Sequence, residues 1–88
     1  MKIKDLPKVE LPREKIENYG PHKLQDHELV AILLGSGIVG LNVLQLSRKI
    51  LKVVKDIGVQ KIQFKDLLRI KGLGSARAAQ ILAMIELS

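Results

Sequence analysis

The sequence predicts an all-α fold of about five short helices, joined in part by two glycine-containing turns. Apolar residues between positions 43 and 54 recur at the three- and four-residue spacing of a helix face. The first turn (residues 35–37) and the second turn (residues 71–74) each lie between segments with helical character, and no segment shows a clear strand pattern. The 88 residues therefore predict one small domain, residues 1–88, with an aliphatic core. Tyr19 and Phe64, its two aromatic residues, are expected to be core or packing residues.

The N-terminal segment predicts an arm followed by a short helix. Residues 1–11 have no helical period, and we expect them to be extended. Pro12 suits the first turn of a helix, where its missing N–H group has no intrahelical partner to lose. That helix is expected to end near Tyr19, because Gly20 is a suitable C-terminal stop.

Residues 26–56 predict a first hairpin-like unit. A helix is expected to begin at Asp26, although the apolar run 29–34 also fits a buried strand. Six residues are too few for periodicity to separate the two structures. The next helix is clearer, because Asn42 is a suitable N-cap and Gly58 a suitable stop.

Residues 64–88 predict a second unit, which is similar to a helix-hairpin-helix motif. A short helix is expected over residues 64–70, followed by a tight turn over residues 71–74. Ser75 is a suitable cap for the last helix, whose first turn is rich in small residues.

The first turn matches a pattern known from dinucleotide-binding proteins, because Gly35, Gly37 and Gly40 read G-x-G-x-x-G. Such a site needs a strand before the glycines and an acidic residue about 20 positions later, at the end of a second strand. Asp56 stands near that distance, but the helical stripe over residues 43–54 leaves no place for the second strand. We therefore expect no nucleotide cofactor and interpret the glycines as a turn between helices.

The second turn predicts a phosphate-binding site. Its order of helix, Gly-apolar-Gly, small residue and helix is similar to the helix-hairpin-helix motif. Two glycines with positive φ would let the backbone approach a phosphate, and the first N–H groups of the next helix would face the anion. An ordinary αα-hairpin is the alternative. The predicted DNA contacts, with both cationic side chains exposed, are Lys71, Gly72, Leu73, Gly74, Ser75 and Arg77.

Two further expectations follow from the similarity to helix-hairpin-helix proteins. The motif implies that turn carbonyls hold K⁺ or Na⁺, which bridges to a phosphate; water alone is an alternative at least as well supported. By position these carbonyls belong to Leu68, Ile70 and Leu73. The first turn looks like a looser copy, which would make a pseudo-repeated pair, and whether it contacts a ligand stays open. That copy consists of Gly35, Ser36 and Gly37.

The net charge of +6 is distributed unevenly along the chain. Residues 1–28 carry six positive and six negative side chains, whereas residues 29–88 carry nine positive and three negative ones. A basic surplus is typical of a protein with a polyanionic partner, although a solvated basic face has the same composition. No side-chain cluster suits paired base contacts, so we expect DNA binding through phosphates without sequence specificity.

Several stretches that occur together in one known family cover residues 9–87. They are Leu11-Pro12-Arg13-Glu14, Gly20-Pro21, Ala31-Ile32-Leu33-Leu34-Gly35-Ser36-Gly37, and Lys71-Gly72-Leu73-Gly74 with Ala78-Ala79. This combination resembles the N-terminal helical region of the RadC family of bacterial proteins, which implies an association with DNA repair. The family usually adds a metal-dependent JAB/MPN domain, whose zinc site needs a His-x-His pair. The two histidines here are His22 and His27, so we expect an isolated N-terminal domain or a shortened relative.

The composition favours a binding module over an enzyme. The chain has no cysteine, and its serines have no nearby histidine pattern, so we expect neither catalysis nor a side-chain metal site. The alternative function is a protein–protein docking module that positions the missing JAB/MPN domain or binds a repair or replication partner. No charge-free segment approaches the roughly 18 residues of a membrane helix, and no signal peptide is visible. We therefore expect a cytoplasmic protein with no membrane contact.

Overall fold

The computed structural model describes residues 11–88, which contain five α-helices and one 3₁₀ helix. The prediction of an all-α fold is confirmed, and the apolar run 29–34 lies in a helix rather than in a strand. The predicted N-terminal arm lies outside the described residues, except for Leu11, whose backbone is extended. The helices are α1 (Pro12–Tyr19), the 3₁₀ helix (Pro21–Lys23), α2 (Asp26–Leu34), α3 (Val43–Ile57), α4 (Phe64–Leu68) and α5 (Ser75–Leu87).

Four of the five α-helices begin with the same capping hydrogen bond. The third residue of each helix uses a side-chain oxygen to accept a hydrogen bond from the N–H group of the N-cap residue, which would otherwise have no partner. Only the pair at the start of α3 is reciprocal, because the Asn42 side chain also accepts from the Gln45 N–H at 2.8 Å. The donor–acceptor pairs are Leu11–Glu14 (2.9 Å), Gln25–Glu28 (3.0 Å), Asn42–Gln45 (2.9 Å) and Gln63–Asp66 (2.8 Å).

One aliphatic core joins the two predicted units. Leu46 and Ile50 on α3 are almost completely buried, with 0% and 2% exposure, so α3 is the central helix. The aromatic residues do not belong to this core: Phe64 is 39% exposed and Tyr19 is 52% exposed. The core positions are filled by aliphatic side chains, namely Leu34, Leu46, Ile50, Val54, Leu67, Ile70, Leu73, Ala78 and Ile81.

An ion pair fixes α1 against α2. The Lys15 ammonium donates to a carboxylate oxygen of Glu28 at 2.8 Å, and the Glu28 side chain is 10% exposed. The hydrogen bond from Lys15 lowers the pKa of Glu28, the Gln25 N–H lowers it further, and burial opposes both. Glu28 is therefore a carboxylate at neutral pH and anchors the start of the helix that leads to the first turn.

Candidate nucleic-acid interface

Two buried apolar side chains anchor the second turn to the core. Ile70 and Leu73 are 3% and 5% exposed, as expected for a residue that points from the turn into the core. The Leu73 N–H donates to the Ile70 carbonyl at 3.0 Å and closes the turn. Gly72 has a φ of +87°, a conformation that residues with a Cβ rarely adopt.

Gly74 corrects the sequence prediction. Its φ is −83° and its ψ is 172°, so its backbone is extended and not left-handed as we expected for both glycines. The reason is its position: Gly74 is the N-cap of α5, where extended backbone is normal, and Ser75 is the first helical residue instead of the cap. A Cβ added to Gly74 would meet no atom within 4 Å, so the surface at this point is open.

The start of α5 presents backbone donors next to this open position. The first hydrogen bond into the helix runs from the Ala78 N–H to the Gly74 carbonyl at 3.0 Å. The N–H groups of residues 75–77 precede that bond and stand at the positive end of the helix dipole. Lys65, Arg69 and Lys71 lie on the chain leading to them, are exposed, and take part in no salt bridge within residues 11–88.

Arg77 differs most from its predicted role. We expected an exposed side chain, but Arg77 is only partly exposed and binds the first turn. Its guanidinium donates to the carbonyl oxygen of Ser36 at 2.7 Å and to the Ser36 hydroxyl at 2.7 Å, with a longer contact of 3.5 Å to the Gly37 carbonyl. One turn further along α5, the Gln80 amide donates to the Leu33 carbonyl at 3.0 Å. These two side chains attach the C-terminal end of α2 to α5.

The residue that follows the first turn packs directly against the second turn. A Cβ added to Gly72 would stand 3.1 Å from Cδ1 of Ile38, which follows the first turn. The missing Cβ of Gly72 therefore makes room for Ile38, whereas the sequence suggested that it makes room for a phosphate. The structure thus brings the first turn close to the second turn and to Arg77, which is 41 residues from Ser36 in sequence.

The first turn uses its glycines for internal packing. Gly35 ends α2 with a φ of +79°. A Cβ on Gly37 would collide with the Leu41 carbonyl oxygen and would lie 2.8 Å from the Val43 nitrogen. The chain folds back here because Ile38 and Leu41 exchange backbone hydrogen bonds of 3.0 and 3.1 Å. This fold-back accounts for the glycine spacing without a dinucleotide.

The predicted cation site remains a prediction. Of its three carbonyls, the one of Ile70 accepts the Leu73 N–H at 3.0 Å, which occupies one of its two lone pairs. The two histidines lie elsewhere: His22 is exposed beside α1, and the His27 ring lies 3.3 Å from the Arg48 guanidinium. Within residues 11–88, no helix is long and apolar enough to cross a membrane.

Comparison with known proteins places the chain in a sequence family. The family model described as UPF0758 N-terminal matches residues 3–79. A UPF0758 protein of Clostridium kluyveri is 46% identical over 89 residues, and one of Aquifex aeolicus is 40% identical over 87 residues. These matches cover 100% and 99% of this chain but 39% and 37% of the relatives, so the chain spans about two-fifths of their length. No solved structure matches the chain at the significance required.

Proposed function

The chain belongs to the UPF0758 family, as the N-terminal region that the RadC resemblance indicated, and on this premise we propose that its second turn binds DNA. Binding is through backbone phosphates and does not depend on base sequence, and the protein is associated with DNA repair. The observation that carries the proposal is the open surface at Gly74, beside the unpaired N–H groups that begin α5 and the exposed Lys71.

Each part of the second turn has a distinct task in this proposal. The N–H groups of residues 75–77 donate to phosphate oxygens, as helix N-termini commonly do for anions. Lys71 contributes a mobile positive charge that follows the phosphates. Gly74 keeps the surface free of side-chain atoms, and Leu73 holds the turn on the core. Because every nucleotide carries the same phosphate, these contacts give affinity without sequence preference.

The fold assigns Arg77 a different task from that of Lys71. The guanidinium is already bonded to Ser36, so it stabilises the arrangement of the two turns and adds positive potential near the site. Direct phosphate contact by Arg77 would require it to leave those bonds. For this reason Lys71 is the cleaner position for testing the electrostatic contribution.

The test is a salt titration of binding to a short duplex of arbitrary sequence. Lys71→Ala should weaken binding at low salt and flatten the slope of log affinity against log salt by about one unit, because one fewer counterion is released. Lys23→Ala is the matched control, since Lys23 is an exposed lysine on the 3₁₀ helix that packs against α1. Equal effects of the two variants would mean that net charge alone drives binding and would contradict a contact at Lys71.

A second variant tests close approach instead of charge. Alanine adopts the φ of −83° at Gly74 without strain, and its methyl group would lie in open space. Gly74→Ala should therefore keep the fold but weaken duplex binding at all salt concentrations, and Gly74→Val should weaken it further. Unchanged affinity in both variants would remove this surface from the interface.

A protein-docking function is the second candidate, and an apolar groove favours it. The groove lies between α2, α3 and α5, has a volume of about 240 Å³, and includes Leu33, Val59 and Met84. Leu33 and Val59 are 57% and 55% exposed, which is unusual for large apolar side chains that stand together. The occupant would be the remaining three-fifths of the longer family members, and this part would contain the JAB/MPN domain.

Hydrogen exchange separates the two functions. If the groove is a docking site, the amides of α2 and α5 should exchange more slowly in the full-length Clostridium kluyveri relative than in this chain. Equal exchange in both proteins, together with salt-dependent duplex binding, would leave DNA binding as the better-supported function.

A further inference from the structure

The segment after the first turn carries a fully exposed apolar side chain at its apex. We call residues 38–41 the apex loop. The reciprocal backbone hydrogen bonds between Ile38 and Leu41, of 3.0 and 3.1 Å, leave Val39 and Gly40 at the tip. Val39 is 102% exposed, the largest exposure among the exposed large apolar residues of the described chain.

The apex loop is held rigidly from its base. Gly37, directly before the loop, packs against the backbone that follows it, with 2.7 Å between its Cβ position and the carbonyl carbon of Asn42. Arg77 bonds the carbonyl oxygens of Ser36 and Gly37. The position of Val39 relative to α5 is therefore set by these contacts, and the exposed side chain stands on a fixed support.

The apex loop lies beside the surface to which we assign phosphate binding. Ile38 packs over Gly72, and Val39 is the next residue along the chain. One residue spans about 3.8 Å, the Ile38 side chain and its contact with Gly72 add about 9 Å, and the three residues from Gly72 to Ser75 span at most about 11 Å. The tip therefore lies within about 25 Å of the start of α5. That span is shorter than one helical turn of duplex DNA, which is about 34 Å.

The shape and chemistry of the tip fit a narrow groove. A single small apolar side chain projects, and its neighbour at the tip, Gly40, has no side chain. The minor groove is about 6 Å wide, too narrow for a helix but wide enough for such a tip. Proteins that bind the minor groove frequently insert apolar side chains between its base steps. Val39 offers no hydrogen-bonding group, so its contact would carry little sequence information.

We propose that Val39 enters the minor groove of a duplex whose phosphates are held at the second turn. This inference rests on the proposed DNA-binding function and adds which groove faces the protein and which residue contacts it. The apex loop and the second turn then act as one interface, in which the second turn binds the backbone and Val39 contacts the groove.

The test compares Val39→Ser with wild-type protein in duplex binding. The substitution removes apolar contact but no charge, so affinity should fall about five- to tenfold while the salt slope stays unchanged. Lys71→Ala should show the opposite pattern, with a flatter slope. Leu87→Ser is the control, because Leu87 is also exposed but lies at the C-terminal end of α5, opposite the end that begins at the second turn. It should not change binding.

A bound minor-groove dye gives a second readout for the same proteins. Wild-type protein should displace the dye from the duplex, and Val39→Ser should displace it less at equal saturation. If wild-type protein does not bind duplex DNA at all, the proposed function fails and this inference fails with it. If wild-type protein binds with a slope that depends on Lys71, but Val39→Ser binds equally well and displaces the dye equally, this inference alone is overturned.

Discussion

The first and second turns occupy similar places in the chain, each between two helices, but their surroundings are opposite. In the first turn, Gly37 is enclosed by the backbone of residues 41–43, and the carbonyls accept hydrogen bonds from Arg77. In the second turn, the space beside Gly74 is open, and the N–H groups at the start of α5 precede the first helical bond. Similar glycine patterns thus serve internal packing in one turn and an accessible surface in the other.

The two turns also differ in the hydrogen-bonding groups that they present. The first turn contributes acceptors to Arg77, and the end of α2 contributes the Leu33 carbonyl to Gln80. The second turn leaves donors, which a phosphate would use. A phosphate has only acceptor oxygens at neutral pH, so it is complementary to the second turn and not to the carbonyls of the first. This difference in polarity gives a physical reason to place the ligand at residues 71–77.

The largest expected effect is on stability and concerns Gly37. Gly37→Ala should destabilise the domain by about 2–4 kcal/mol, because its methyl group would collide with backbone atoms that cannot rotate away. Gly74→Ala should cost less than about 1 kcal/mol, because alanine is only a poorer N-cap than glycine. Urea denaturation followed by far-UV circular dichroism measures both changes.

The pair of glycine variants tests the comparison directly. A domain of 88 residues has a modest reserve of stability, so Gly37→Ala should shift the urea midpoint strongly or leave the chain partly unfolded at zero urea. Similar midpoints for the two variants would contradict the assignment of an enclosed first turn and an open second turn.

The next effect concerns Arg77, which joins the turns. Arg77→Met should destabilise the domain by about 1–3 kcal/mol, because the Ser36 carbonyl and hydroxyl lose their charged donor. Arg77→Lys keeps the charge but not the forked geometry, so it should recover only part of this loss. Lys71→Met is the control and should change stability by less than about 0.5 kcal/mol, since Lys71 is exposed.

Amide exchange in these variants shows where the stability is lost. Both Arg77 variants should accelerate exchange in the first turn and at the end of α2, whereas Lys71→Met should not. If the Arg77 variants accelerate exchange only within α5, the guanidinium does not hold the first turn and the comparison between the turns fails.

Local signals in the sequence were sufficient to predict the helices. Pro12, Asn42 and Gly58 mark helix ends through interactions with their immediate neighbours, and the structure confirms each boundary. Leu73 could be placed in the core because an apolar residue between two glycines has few alternatives in a tight turn. Such features depend on residues only a few positions apart, which is why periodicity and capping patterns detect them.

The contacts between the turns could not be predicted in the same way. The bond from Arg77 to Ser36 joins residues 41 positions apart, and nothing in the local sequence of either residue indicates the other. The error at Gly74 has a related cause. A glycine before a helix can adopt either left-handed or extended backbone, and its place as the N-cap of α5 requires the extended conformation. The sequence therefore indicated a candidate segment, which stays a prediction, but not that Arg77 within it is bonded to the first turn.

The smallest expected effect concerns the far end of α2, where Glu28 pairs with Lys15. The pKa of Glu28 is lowered in the folded chain, chiefly by the Lys15 hydrogen bond, so the folded state favours the carboxylate. The pair's contribution, about 1–2 kcal/mol, is complete above the ordinary glutamate value of 4.5 and is lost as the pH falls through the lower folded value. Glu28→Gln should therefore lower stability at pH 7 and reduce the loss of stability on acidification.

Urea midpoints at pH 7, 4.5 and 3 measure this dependence, with Lys15→Met as the partner variant. Hydrogen exchange at the same pH values tests the comparison between the turns, because α2 leads directly into the first turn. Relative to unstructured peptide at each pH, acid should reduce the protection of amides in α1, α2 and the first turn before it affects the second turn, whose contacts include no part of this ion pair. A uniform loss of protection across both turns would mean that the two turns are not supported separately, since loss of the Glu28 charge would then destabilise the whole domain as one unit.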